Sequence, residues 1–211
     1  MTGLRQHLRL YLVTDTELCR NHGLVLTAQQ AVAGGVTMVQ LRAKHATTQE
    51  RIAMAVALKS ALAGTGVPLV VNDDLDAACQ ADADGAHIGQ GDMAPQKARA
   101  LLGRNKILGL SCETAQTVQA ADPIVVDYLG LGPVFGTTTK TDHEAPIGFD
   151  GLAQLVALTT LPTVAIGGLK ATHQAQVFDS GADGQAVVSA ICGHSNPKAA
   201  AQLFKHTGAT P

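Results

Sequence analysis

Eight short runs rich in valine, isoleucine and leucine recur along the chain, each followed by a stretch patterned for a helix. Strict alternation of this kind predicts a parallel sheet, because parallel neighbours can be joined only by a crossover long enough to hold a helix. The predicted strands cover residues 10–14, 36–41, 68–72, 85–88, 107–111, 126–130, 163–166 and 185–188. The predicted helices cover 24–33, 48–62, 75–81, 95–102, 114–120, 151–158, 172–180 and 197–205. Start signals support some of them: Thr47 or Thr48 precedes Glu50, and Ser195-Asn196-Pro197 supplies a cap followed by a proline at the first helical position. Gly34-Gly35 and Gly181-Ala182-Asp183 close others. Eight βα units within 211 residues leave nothing over for a second domain. The expected fold is an α/β single domain, residues 1–211, closed as a (β/α)₈ TIM barrel near the lower size limit of that class. An open doubly wound sheet is the alternative, since periodicity does not report closure.

Composition narrows the partners. A hydrophobic share of 46% against 15% charged suits a sheet buried on both faces under a coat of helices. With aromatics at 3%, no tryptophan and a net charge of −2, the chain has neither a base-stacking platform nor a basic surface for nucleic acid. No run approaches the roughly 18 apolar residues of a membrane span, and the first residues lack a signal-peptide pattern. Cys19, Cys79, Cys112 and Cys192 are too scattered for a metal finger and read as buried thiols in a reducing compartment, so a cytoplasmic location is expected. The partners expected are small molecules, not membrane or nucleic acid, and a homo-oligomer is compatible with the chain.

Polar residues collect where strands end, which in a barrel is the ligand-binding rim. Alternation along the second strand puts Gln40, Arg42 and Lys44 on one face and Leu41 and Ala43 on the other. A guanidinium beside an ammonium suits a diphosphate, with a salt-bridged rim as the competing explanation. The third strand delivers Asn72-Asp73-Asp74 and the fourth is followed by Gly89-Gln90-Gly91-Asp92. Carboxylates from two neighbouring strand ends suit Mg²⁺, which keeps waters and shares phosphate oxygens. Asp74 is better placed to cap the helix from Leu75, leaving Asp73 and Asp92 as metal candidates. After the sixth strand, a long loop through Thr137-Thr138-Thr139-Lys140 offers hydroxyls, amides and one cation. Gly167-Gly168 after the seventh strand and Ser189 after the eighth fit a phosphate cradle, aided by a nearby helix N-terminus.

Taken in order, these stretches resemble the thiamine phosphate synthase family. The matching pieces are Gln40-Leu41-Arg42-Ala43-Lys44, Val71-Asn72-Asp73, residues 85–92, Gly109-Leu110-Ser111, residues 127–135 through Lys140, residues 165–168 and residues 186–191. The resemblance implies a transferase that condenses 4-amino-5-hydroxymethyl-2-methylpyrimidine diphosphate with a 4-methyl-5-(2-phosphoethyl)thiazole or its carboxylated form. It implies Gln40, Arg42, Lys44, Asn72, Ser111 and Lys140 at the pyrimidine diphosphate, with Arg42, Lys44, Ser111 and Lys140 acting in catalysis. Asp73 and Asp92 would hold Mg²⁺, and Thr137, Thr139, Gly168, Val188 and Ser189 would hold the thiazole phosphate. Two departures stand out: Ala43 replaces an acidic residue common in the family, and Cys112-Glu113-Thr114 lacks a histidine often found nearby. A related thiazole tautomerase uses a histidine in about that region, so its absence, with Arg42, Lys44, Asp73, Asp92 and Lys140 retained, argues against one alternative reading, an isomerase on the same scaffold. A non-catalytic phosphate-ligand sensor is the other. His87, inside a strand, reads as a hydrogen-bonded core residue, and His143 as a weaker functional candidate.

Overall fold

The computed structural model describes residues 2–137 and 145–204, and in it the sheet closes on itself. Strands β1 (Leu10–Val13), β2 (Met38–Leu41), β3 (Leu69–Asn72), β4 (Gly85–Ile88), β5 (Ile107–Cys112), β6 (Tyr128–Leu131), β7 (Thr163–Ala165) and β8 (Gly184–Val187) pair in parallel, each with the next, and β8 returns to β1. The open-sheet alternative is thereby excluded. Helices α2 (Leu24–Ala33), α3 (Thr48–Leu62), α4 (Leu75–Gln80), α5 (Pro95–Leu102), α6 (Ala115–Ala120), α7 (Gly148–Val156), α8 (Gln174–Asp179) and α9 (Pro197–Gln202) follow the strands in turn. A 3₁₀ turn, Ala171–His173, leads into α8.

An additional helix, α1 (Thr2–His7), precedes the barrel and is absent from the sequence expectations. Leu4 and Leu8 pack it against the barrel interior, and Arg5 Nη1 reaches Asp183 Oδ1 at 2.6 Å. The helix therefore stoppers the end opposite the ligand rim. Cys19, Cys112 and Cys192 are buried as expected, but Cys79 is exposed. It lies one residue from the end of the short α4, on the face turned away from the strands, with Sγ 3.7 Å from Leu101 O.

Side-chain parity divides the core in two. Outward residues such as Leu12, Val39, Leu69, Val71, Ile88, Leu129 and Ala165 meet the helices, while Tyr11, Val13, Met38, Val70, Tyr128, Val164 and Ala186 fill the barrel. Interior bulk is balanced by absence: Gly109 lies between His87 and Tyr128 in register, and Gly130 between Ser111 and Val164. A β-carbon at Gly109 would overlap both His87 Nδ1 and the Tyr128 ring.

A collar of hydrogen bonds rims the stoppered end. The residue just before each even strand accepts from an N–H near the start of the preceding odd strand: Thr37 Oγ1 from Leu10 (2.9 Å), Asp84 from Leu69 (2.8 Å), Asp127 from Leu108 (2.7 Å) and Asp183 from Thr163 (2.8 Å). Each of the four returns its own backbone N–H to the carbonyl of the residue it caps. Staggered strand starts leave these N–H groups without a ladder partner, and the side chains supply one.

One buried group lacks such provision. Gln185 sits on β8 between the inward Gly184 and Ala186, fully buried, and neither its Nε2 nor its Oε1 has a hydrogen-bond partner among the described residues. Gln185→Met keeps the length and removes both polar atoms. It should raise stability by about 1–2 kcal/mol, seen as a melting temperature higher by about 2–8 °C. A lower melting temperature would show that the amide is satisfied.

Candidate active site

The C-terminal ends of the strands open into a cleft of about 980 Å³. It is lined by Gln40, Arg42, Lys44, Asn72, Asp73, Asp92, Ser111, Thr137, Gly168, Val188 and Ser189, so one cavity gathers every described residue singled out from the sequence. Lys140, Thr139 and His143 lie outside the described residues.

On β2 the expected alternation appears. Leu41 and Ala43 join the outer core, and Gln40 and Arg42 face the cleft. Thr14 continues β1 alongside them, donating its N–H to Gln40 O (2.9 Å) and accepting from the Arg42 N–H at Oγ1 (3.1 Å). Among the described residues, none of the ion pairs involves Arg42 or Lys44. Among the described residues, then, no salt bridge ties down these two cations, and both line the cleft.

Two carboxylates face them from β3 and β4. Asp73 adopts a left-handed backbone (φ 63°), uncommon outside glycine but open to aspartate, and its N–H donates to His87 O at 2.8 Å. That turn points its carboxylate into the cleft, where Asn72 Nδ2 donates to Oδ2 at 2.5 Å. Asp92 Oδ2 accepts from the Gly89 N–H at 2.7 Å, which holds the second carboxylate over the β4 end. Enclosure by the cleft walls, and then a hydrogen bond and repulsion from Asp92, push Asp73 up to about 7, while Arg42 and Asn72 pull the other way. Two carboxylates held together against their own repulsion are a donor set that a divalent cation fits. Asp74 takes no part: its Oδ1 caps α4 by accepting from the Ala77 N–H (2.9 Å), and its Oδ2 pairs with Arg51 (3.0 Å).

The opposite wall comes from β6, β7 and β8. After β6 the chain passes a cis peptide at Gly132-Pro133, and Val134 and Phe135 donate to Ile166 O (2.8 Å) and Gly167 O (3.0 Å). Gly167 and Gly168 have φ of 105° and 61°, and side chains there would strike Pro133 and the Phe135–Gly136 backbone. These glycines thus admit the β6 loop as well as opening the cleft. The helix N-terminus expected beside Ser189 is reduced to a single turn, with Cys192 N–H on Val188 O at 2.9 Å, because Gly193 (φ 83°) ends it.

The floor holds residues that sequence reading did not connect. Gln40 Nε2 donates to Tyr11 OH (2.7 Å), Tyr11 OH meets Tyr128 OH (2.9 Å), Tyr128 OH meets His87 Nδ1 (2.8 Å), and His87 Nε2 meets Ser111 Oγ (2.9 Å). His87 is the hydrogen-bonded core residue expected of it. Tyr11 and Tyr128 could have been found only from strand parity, as polar atoms at inward positions.

Comparison with known proteins bears on what such a cleft serves. The family model described as thiamine monophosphate synthase matches residues 10–191. A thiamine-phosphate synthase of Psychrobacter sp. (strain PRwf-1) is 50% identical over 200 residues, covering 93% of each chain. One from Vibrio parahaemolyticus is 48% identical, covering 93% of this chain and 96% of its own. Among solved structures, a thiamine phosphate pyrophosphorylase from Pyrococcus furiosus superposes with a TM-score of 0.86 at 33% identity, over 95% of both chains. A 3-hexulose-6-phosphate synthase at 20% identity and a TM-score of 0.68 shares the fold alone.

Proposed function

Because the chain belongs to the thiamine monophosphate synthase family, we propose that its cleft joins 4-amino-5-hydroxymethyl-2-methylpyrimidine diphosphate to a 4-methyl-5-(2-phosphoethyl)thiazole, releasing diphosphate, or to its carboxylated form, releasing carbon dioxide as well. The observation that carries this reading is the pairing, in one cavity, of a repelling dicarboxylate with Arg42 and Lys44, which form no salt bridge among the described residues.

Asp73 and Asp92 would hold Mg²⁺, which when bound supplies electrostatic stabilisation of the diphosphate's developing charge. Arg42 and Lys44 face the same oxygens, with Lys140 assigned there by resemblance. The C–O bond to diphosphate breaks with its electron pair leaving on oxygen, and the aminopyrimidine ring delocalises the positive charge left on its methylene carbon. The thiazole nitrogen's lone pair then forms the C–N bond, so no protein nucleophile is needed. Gln40, Ser111 and Asn72 hold the pyrimidine. Thr137, Gly168, Val188 and Ser189, with Thr139 by resemblance, hold the thiazole phosphate through hydroxyls and backbone amides. Orienting both rings in one enclosed pocket contributes proximity. Four free thiols suit a reducing compartment such as the cytoplasm.

The test is direct: purified protein with both substrates and Mg²⁺ should release thiamine phosphate and diphosphate in equal amounts, and should stop when the metal is chelated. No product under those conditions would end the proposal. Gln40→Ala should raise KM for the pyrimidine about tenfold or more while leaving the thiazole KM near its original value. An unchanged pyrimidine KM would remove Gln40 from the assignment.

A further inference from the structure

The chain of hydrogen bonds under the cleft runs from Gln40 on β2 to Ser111 on β5 through Tyr11, Tyr128 and His87. Its protons can be counted. Burial pushes both phenols up, so each tyrosine keeps its single proton. Gln40 donates an amide hydrogen to Tyr11, and Tyr11 must then spend its proton on Tyr128, the partner it has left. Tyr128 in turn donates to His87 Nδ1, which leaves the Nε2 hydrogen of His87 for Ser111 Oγ. With the Gln40 amide nitrogen on Tyr11, any other direction strands a hydroxyl proton in the barrel interior, which costs more than the aligned chain.

The two ends are consequently fixed. Gln40, its amide orientation set by the hydrogen given to Tyr11, presents its carbonyl oxygen to the cleft. Ser111, already accepting from His87, presents its O–H. Space is set aside for this arrangement: Gly109 leaves room for the Tyr128 hydroxyl and His87 Nδ1, and Gly130 lies within 3.2 Å of His87 Cε1 when a β-carbon is built on it.

We propose that Tyr11, Tyr128 and His87 are positioning residues that give the pyrimidine site a fixed polarity, one acceptor at Gln40 and one donor at Ser111. A ring offering an amino donor and an unprotonated ring nitrogen matches this polarity, and a ring with an oxo group and a ring N–H opposes it. The inference rests on the aminopyrimidine reading above and adds the means by which amino is told from oxo.

Tyr128→Phe cuts the chain with little change of shape. The Tyr11 proton then loses its acceptor, the Gln40 amide can turn over, and His87 can take its other tautomer, so both ends become reversible. Wild-type protein should prefer the amino pyrimidine diphosphate over its 4-oxo analogue by about 10⁴-fold in kcat/KM. In Tyr128→Phe that ratio should fall about tenfold or more, with KM for the thiazole phosphate unaltered. Tyr11→Phe cuts one link earlier and should do the same, which preserves the test if either variant folds poorly. A merely structural role would slow both substrates alike, and an unchanged ratio in a folded variant overturns the proposal. Wild-type protein with no turnover of the amino substrate would instead overturn the functional reading on which it rests.

Discussion

Asp92→Asn should lower kcat by about two to three orders of magnitude while moving the melting temperature by no more than about 2 °C. The asparagine carbonyl can still accept the Gly89 N–H that Asp92 Oδ2 holds at 2.7 Å, so the loop keeps its anchor. What disappears is one of the two charges proposed to bind Mg²⁺. The metal concentration for half-maximal activity should rise in parallel, separating this from simple loss of substrate binding. Asp92 is exposed and faces the cleft, so folding has little reason to respond. A large fall in melting temperature with full turnover would show the carboxylate to be structural.

The reverse profile is expected at the other end of the barrel. Gly85→Ala should destabilise the protein by about 3 kcal/mol, a drop of roughly 6–12 °C in melting temperature. Gly85 opens β4, with Val70 of β3 and Ile107 of β5 as its register partners. A β-carbon there would overlap the backbone of Ile107, which cannot turn aside as a side-chain tip could. Gly184, opening β8, is pressed in the same way by Leu8 and Arg9. Gly3→Ala is the control, since nothing lies within 4 Å of its added carbon. Equal melting temperatures for the two alanine variants would refute the packing argument.

The strands were legible because each is buried on both faces and reads as an apolar run, and the rim residues because charge at the end of such a run has few innocent explanations. Helix α1 escaped because six residues, TGLRQH, make fewer than two helical turns, too few to show a repeating apolar face; its place is set by Leu8 and by Arg5 meeting Asp183 across the barrel end. The boundary of β2 was set too early because Val36 is apolar for the core, whereas Thr37 is spent on the collar. Parity correctly separated Gln40 and Arg42 from Leu41 and Ala43, but it cannot say which strand lies opposite which. Only the register brings Tyr11 to Gln40 and Tyr128 to His87, residues 29 and 41 positions apart in sequence. The Gly167-Gly168 pair was read for an anion, while its packing against the β6 loop depends on a contact with no local sequence trace.

The reciprocal bonds of Thr37, Asp84, Asp127 and Asp183 each tie an even strand to the odd strand before it, never to the one after. The smallest piece of this wall with its lower edge settled is therefore a two-stranded cassette, and four such cassettes complete the circle. A break between cassettes, as in the turn joining α5 to β5, leaves both strands of every clasp on one continuous segment, whereas a break inside a cassette leaves one clasp to join strands that the chain no longer connects directly.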